Sequence, residues 1–60
     1  MTFRIECEVM IPTVGKSHYT TELEFDDDSN EFGRVLDFRN HMKKMFPECE
    51  YRLIKAKQIK

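Results

Sequence analysis

Two cysteines and two histidines are the side chains in this chain best suited to nucleophilic or metal chemistry. Cys7 and Cys49 lie far apart and lack the close spacing of a zinc-binding pair. Strand alternation points both thiols into a core, whereas His18 and His41 are predicted to face outward, so no Cys–His catalytic dyad is expected. We therefore predict that the chain is not an enzyme, and we interpret both cysteines as small apolar core residues.

A run of three aspartates at residues 26–28 is the other group that could do chemistry. A calcium-binding loop alternates its ligands and needs a glycine at its sharp turn, and this run has neither feature. We expect it to cap the following helix instead, with residue 28 or 29 as N-cap and Glu31 completing a capping box. An acidic strip that binds a protein by imitating nucleic-acid phosphates is the alternative. No metal ion or other cofactor is predicted.

The length and composition indicate one small domain. The chain has 60 residues, with 40% hydrophobic and 35% charged residues, which is typical of a soluble globular domain. A chain this short buries only about 60% of its unfolded surface, which makes oligomerisation an open possibility. The N-terminal residues enter an alternating pattern at once, without the basic start and apolar run of a signal peptide, and there is no transmembrane run. A cytoplasmic location and no membrane partner are expected.

Alternating apolar and polar residues predict a hairpin of two strands over residues 2–25, with Pro12 and Gly15 in its turn. The apolar odd positions are expected to share one face. Matching these faces predicts the following cross-strand pairs: Val9 with Tyr19, Cys7 with Thr21, Ile5 with Leu23, Arg4 with Glu24, and Glu6 with Glu22. Because the last pair joins two acids, a basic third strand is expected nearby.

A helix is predicted over residues 29–46. Apolar residues recur there at steps of three and four, and they define an inner face: Phe32, Val35, Leu36, Phe38, Met42, Met45 and Phe46. Arg39 is the one charged residue on that face. Pro47 disfavours further helix, and a third strand is predicted over residues 49–59, with either a bulge near Leu53-Ile54 or apolar residues on both faces.

The element order is strand, strand, helix, strand. A right-handed crossover from the second strand to the third places the third strand beside the first. We therefore predict a single domain over residues 1–60 in the α+β class, with ββαβ order. Its three-stranded antiparallel or mixed sheet has order 2-1-3, and the helix packs on one face.

The charges divide the chain into two halves. Residues 1–33 carry eight acids and two bases, whereas residues 34–60 carry eight bases and three acids. Together with the open sheet face, this division suggests a non-enzymatic module that binds a partner protein through an acidic face. The predicted contact residues include an outer row of the helix, where Asp37 and His41 are spaced as a surface pair. They are Glu6, Glu8, Glu22, Glu24, Asp26, Asp27, Arg34, Asp37 and His41.

Two alternatives remain open. The first is a nucleic-acid-binding domain that uses the basic helix end and the last strand, through Lys43, Lys44, Arg52, Lys55 and Lys57, although no RNA-binding aromatic motif or recognition-helix pattern is present. The second is a homodimer that joins apolar residues of the open sheet face, namely Met10, Ile54 and Ala56.

In its layout the chain resembles the small phage-encoded proteins that inhibit host enzymes. Residues 3–58 follow their order of an acidic hairpin, one amphipathic helix and a returning basic strand. The resemblance implies a regulator or inhibitor that binds a bacterial or phage protein stoichiometrically in the host cytoplasm. It assigns no role to any individual residue.

Overall fold

Three strands and one helix are present in the predicted order. The computed structural model describes all residues 1–60, with strand β1 at Thr2–Ile11, strand β2 at Gly15–Glu24, helix α1 at Glu31–Met45 and strand β3 at Glu50–Gln58. Strand β1 lies between the other two and runs antiparallel to both, so the sheet order is β2-β1-β3. The predicted α+β fold with ββαβ order is confirmed.

The hairpin between β1 and β2 closes with three turn residues, because Ile11 pairs with Gly15. The amide of Val14 donates to the carbonyl of Ile11 at 3.0 Å, and Thr13 has a φ of 70°. Pro12 followed by a positive φ is the arrangement of a type II turn. A β-branched residue rarely adopts such a φ, so the turn holds Thr13 in a strained conformation.

This turn sets the strand pairing two residues away from the predicted register. The predicted partners of Cys7 and Glu6 are wrong, since Cys7 pairs with Tyr19 and Glu6 with Thr20. Because the shift is even, every side chain of the hairpin keeps its predicted face. The expected repulsion between two facing glutamates is therefore absent.

Strand β3 contains the predicted irregularity. Leu53 pairs with Cys7, whereas Lys55 pairs with Glu6, and the register changes between these two pairs. Ile54 is therefore the extra residue of a β-bulge. The bulge puts Leu53 on the helix side of the sheet and Lys55 on the open side, although an uninterrupted strand would put both on the same face.

Helix α1 begins at Glu31, two residues later than predicted. Its N-cap is Asn30 rather than residue 28 or 29, and the Asn30 side chain accepts a hydrogen bond of 2.7 Å from the amide of Gly33. The asparagine oxygen thus satisfies one of the free amides of the first turn. The helix ends at Met45, one residue before the predicted end.

The helix is also rolled about its axis relative to the predicted inner face. Phe38 and Met42 are buried against the sheet, as predicted. Four residues assigned to the same face are exposed: Phe32, Val35, Leu36 and Met45. Arg39, also assigned to that face, is exposed, whereas Arg34 and His41, expected outside, are half-buried. The predicted orientation of the helix is therefore wrong.

The core is small and centred on β1. Only six side chains are buried, and five of them form one cluster: Ile5, Cys7, Val9, Phe38 and Met42. Cys49 packs against this cluster and is half-buried, so the prediction that both cysteines are apolar core residues is confirmed. With so few members, each buried side chain contributes a large part of the hydrophobic stabilisation.

Candidate functional site

The roll of the helix leaves an apolar surface uncovered on the side of α1 that faces β3. Phe32 precedes Val35 by three residues and Leu36 by four, so the three side chains are neighbours on the helix. Leu53 of β3 lines the same groove as Val35. These four residues, which we call the α1–β3 surface, have exposed fractions between 43% and 73%. Apolar residues exposed together, rather than singly, mark a contact surface.

A groove of about 250 Å³ opens between α1 and the sheet beside this surface. Seven of its nine lining residues are apolar, among them Phe3, Ile5, Phe25, Val35, Phe38 and Leu53. Its volume is below the roughly 300–1,000 Å³ of typical small-molecule sites. A groove of this size and character fits an apolar side chain of a protein partner better than a complete ligand.

Acidic residues lie at the end of the groove where the helix begins. Glu31 lines the groove and takes part in no salt bridge. Asp26 and Asp28 are exposed in the segment that leads from the groove residue Phe25 to the helix. Asp27 accepts a hydrogen bond of 2.9 Å from the amino group of Met1. The acidic strip predicted for residues 26–31 is therefore solvent-exposed and adjoins an apolar groove.

His41 and Arg34 both join helix α1 to side chains of the sheet, and Arg34 also lines the groove. The hydroxyl of Tyr19 and Nε2 of His41 form a hydrogen bond of 3.0 Å. The guanidinium of Arg34 lies 5.5 Å from the centre of the Phe3 ring and donates to a backbone carbonyl at 2.7 Å. Both side chains are half-buried and have partners within the fold, so their predicted position on the outer face of the helix is corrected, while their role in partner binding stays a prediction. The predicted surface pair of Asp37 with His41 is also wrong, since the imidazole bonds Tyr19 instead.

The open face of the sheet, which points away from the helix, is not an acidic face. Glu8 lies 3.7 Å from Arg52 and 3.9 Å from Lys16, and Glu22 lies 3.1 Å from Arg4. The register places five acids and five bases on this face: Glu6, Glu8, Glu22, Glu24, Glu50, Arg4, Lys16, Arg52, Lys55 and Lys57. The basic third strand was expected near these acids, and here it balances their charge.

The basic residues proposed for nucleic-acid binding fall into two groups on different sides of the molecule. Arg52, Lys55 and Lys57 lie on the open sheet face, opposite β1 residues whose side chains point away from the helix. Lys43 and Lys44 are exposed on the helix, which covers the other face. A phosphate backbone therefore meets no single basic stripe across the five residues.

The predicted apolar patch of the open sheet face is incomplete. Met10 and Ile54 are exposed there, and Ile54 lies beside His18. Ala56 pairs with the buried Ile5 and lines the groove, so it faces the helix and its predicted position is wrong. The bulge at Ile54 is the reason, because it reverses the faces of all later residues of β3.

Cys7 is the one titratable group whose ionisation the fold clearly changes. Burial raises the pKa of the Cys7 thiol above its ordinary value of 9.0. The folded protein therefore keeps this proton at pH values where the unfolded chain has lost it. Below pH 9.0 both states hold the proton, so stability is unaffected, and we expect the free energy of unfolding to fall as the pH rises above that value. Urea unfolding at about pH 8 and about pH 10 measures this loss.

Matched cysteine variants separate this effect from other titrations at high pH. Cys7→Ala removes the buried thiol and is expected to lose this part of the pH dependence. Cys49→Ala removes a half-buried thiol and is expected to keep it. An unchanged pH dependence in Cys7→Ala contradicts the assignment to Cys7.

Sequence reasoning missed the α1–β3 surface because it assigned Phe32, Val35 and Leu36 to the core. One signal was available. Arg39 lies within the predicted stripe, and a charged residue at that position indicates that part of the stripe is not buried. The groove itself depends on how the helix sits on the sheet, which periodicity does not specify.

These features define a small α+β domain of ββαβ order with an open apolar groove beside its helix. Comparisons with protein families, with curated proteins and with solved structures find no match to this chain. Helix α1 is too short and too polar to cross a membrane. No three histidine, cysteine, aspartate or glutamate side chains are grouped as metal ligands. The groove beside helix α1 is therefore the structural feature that points to a function.

Proposed function

We propose that this chain is a non-enzymatic protein-binding module whose α1–β3 surface and groove take an apolar segment of a partner protein. The observation that carries the proposal is the set of large apolar side chains left exposed around a ready-made groove. Burying such side chains on association contributes about 25 cal/mol for each Å² removed from water. The chain acts by occupying its partner's surface and needs no chemistry of its own.

The charges around the groove define the partner segment more closely. Glu31 takes part in no salt bridge and lies in the groove wall, with Asp26 and Asp28 close by in sequence. Arg34 also lines the groove, but its guanidinium contacts a backbone carbonyl and the Phe3 ring instead. A basic residue beside the apolar anchors of the partner would pair with Glu31 and fix the direction of the segment. The preferred partner is therefore a segment with apolar anchors followed by lysine or arginine. A regulator or inhibitor of the phage type is the form of this activity that the layout suggests.

Binding measurements with surface variants test the proposal. A protein captured by the tagged chain from a cell lysate is purified, and its affinity is compared for wild type, Val35→Glu and Leu53→Glu. Each variant puts a charge beside the groove, and a loss of about 30-fold or more is expected, since central apolar contacts contribute about 2 kcal/mol or more. Val14→Glu is the matched control, because Val14 is exposed in the hairpin turn at the opposite end of β1.

The same measurement separates this surface from the acidic contact residues on the sheet. Glu6→Lys and Glu8→Lys reverse the charge at the centre of the open face and leave the groove intact. An affinity that falls in these variants but not in Val35→Glu or Leu53→Glu assigns binding to the open face and rejects the groove. Equal affinity in all variants rejects both surfaces.

A further inference from the structure

The two edges of the sheet differ in how well they are protected against pairing with another strand. β3 carries a bulge at Ile54 and two nearby lysines, Lys55 and Lys57, which are devices that blunt an exposed edge. β2 has no bulge and contains a single lysine, Lys16. It pairs with β1 through ten consecutive residues without a register change, and it contains no proline. The free edge of β2 is therefore open to a further strand.

The hydrogen bonds at the ends of β1 show which backbone groups this edge presents. Thr2 directs both its amide and its carbonyl to the C-terminal segment, at 2.9 and 2.8 Å, whereas the carbonyl of Met1 accepts from Phe25 at 2.8 Å. Since hydrogen bonding alternates along an antiparallel pair, the odd residues of β2 bond to β1 and the even residues point outward. The free amides and carbonyls belong to Lys16, His18, Thr20, Glu22 and Glu24.

The side chains of these even residues form a self-complementary series. If a second copy of β2 runs antiparallel with Thr20 opposite Thr20, Lys16 faces Glu24 and His18 faces Glu22, and each pair occurs twice. Lys16 and Glu24 carry opposite charges, which stabilise a strand pair when they face each other, whereas like charges destabilise it. Centring the strand pair on Glu22 instead would place the Glu22 carboxylates of the two copies opposite each other. Centring it on His18 leaves both glutamates beyond the end of the other strand. Centring the pair on Tyr19 leaves Glu24 beyond that end, and centring it on Thr21 leaves Lys16 there.

We propose that two copies of this chain associate through β2 edges paired antiparallel about Thr20, which joins their sheets into one of six strands. Lys16 is available for this contact, because its side chain is 68% exposed and its nearest carboxylate oxygen, on Glu8, is 3.9 Å away. The pairing satisfies the open backbone groups of both copies. It is also isologous, so it closes at two copies.

The dimer leaves the proposed partner surface free. The two-fold axis is perpendicular to the sheet, so both helices lie on the same face of the six-stranded sheet. β3 is the strand farthest from the axis, so the two α1–β3 surfaces lie at opposite ends of the six-stranded sheet. The dimer thereby offers two equivalent grooves, and a partner with two segments gains avidity. The association depends on different residues from the proposed function, so the two proposals can be tested independently.

Charge exchange between two variants tests the pairing directly. The wild type is expected to dimerise in sedimentation equilibrium. Lys16→Glu and Glu24→Lys each set like charges opposite one another twice, and each alone is expected to raise the dimer dissociation constant about tenfold or more. An equimolar mixture of the two variants restores opposite charges at both places, so it is expected to form a heterodimer. Lys57→Glu, a charge reversal on β3, is expected to dimerise like wild type.

A proline variant tests the backbone contribution. The amide of Thr20 points to the free edge, so Thr20→Pro removes no hydrogen bond within the chain and is expected to keep the fold by circular dichroism but to be monomeric. A monomeric wild type at the concentration of an NMR sample overturns the proposal. It is also overturned if the dimer persists in Lys16→Glu and Thr20→Pro, or if Val35→Glu alone dissociates it.

Discussion

Replacing Met42 with alanine is expected to remove about half of the free energy of unfolding. The Met42 side chain is 0% exposed and is the largest of the fully buried side chains. Truncating a buried methionine costs about 2–5 kcal/mol, because apolar contacts are lost and a cavity remains. A domain of 60 residues has a total stability of roughly 3–9 kcal/mol at typical values per residue. Urea unfolding followed by circular dichroism measures the loss.

Met45→Ala is the matched control for this prediction. It is the same substitution three residues along the same helix, but the Met45 side chain is 51% exposed. A surface change of this kind is expected to alter stability by no more than about 0.5 kcal/mol. Both variants need the same protein concentration, because self-association adds to apparent stability. Similar losses in the two variants contradict the observed orientation of the helix.

Replacing Phe38 with alanine is expected to have the second large effect. Phe38 is 9% exposed and packs edge-to-face on Tyr51, with ring centres 5.7 Å apart. Loss of a buried phenylalanine costs about 3–5 kcal/mol, which includes the aromatic contact. Phe32→Ala makes the same chemical change at a residue that is 73% exposed. It is expected to leave the free energy of unfolding within about 0.5 kcal/mol of wild type.

The phenylalanine pair separates stability from function. If the α1–β3 surface binds the partner, Phe32→Ala is expected to weaken binding while the fold stays intact. A contact near the centre of an interface contributes about 2 kcal/mol or more, equivalent to about 30-fold in affinity. A large loss of stability in Phe32→Ala shows instead that the predicted inner face of the helix packs on the sheet. If Phe32→Ala has the stability and the binding affinity of wild type, Phe32 is not part of the partner surface.

We propose two independent contacts for this domain, one beside the helix and one at the β2 edge. A small core leaves apolar side chains that no segment of the chain covers, and 60 residues supply only one helix for three strands. The uncovered residues lie on the β3 side, where we propose partner binding. The complementary charges lie on the β2 side, where we propose self-association. Neither contact requires a catalytic group.

Local residue patterns were sufficient to predict the order and type of the elements. Alternation over β1 and β2 has a period of two residues, and steps of three and four over α1 have the period of a helix. The imperfect alternation around Leu53 and Ile54 indicated either a bulge or apolar residues on both faces, and the structure has the bulge. A right-handed crossover then left β1 as the only central strand. The element types were predictable because each depends on residues that are close in the chain, and the strand order followed from the handedness of the crossover.

The hairpin register and the N-cap of the helix could not be predicted from the residue pattern alone. Two registers that differ by two residues give every side chain the same face, so alternation cannot distinguish them. The turn decided between them, through a positive φ at Thr13 that a threonine seldom adopts. Asn30 capped the helix in place of two other suitable residues, because its side-chain oxygen reaches the amide of Gly33.

By itself, the sequence determined an α+β domain with three strands in the order 2-1-3, one covering helix and two cysteines in the core. The tertiary structure decided which side of the helix meets the sheet. Arg34 contacts Phe3 of β1 and His41 bonds Tyr19 of β2, so both polar side chains lie against the sheet. Periodicity ranks helix faces by apolarity but takes no account of polar contacts at the edge of a core. For that reason Phe32, Val35 and Leu36, predicted to be core residues, form the surface through which we propose that the protein acts.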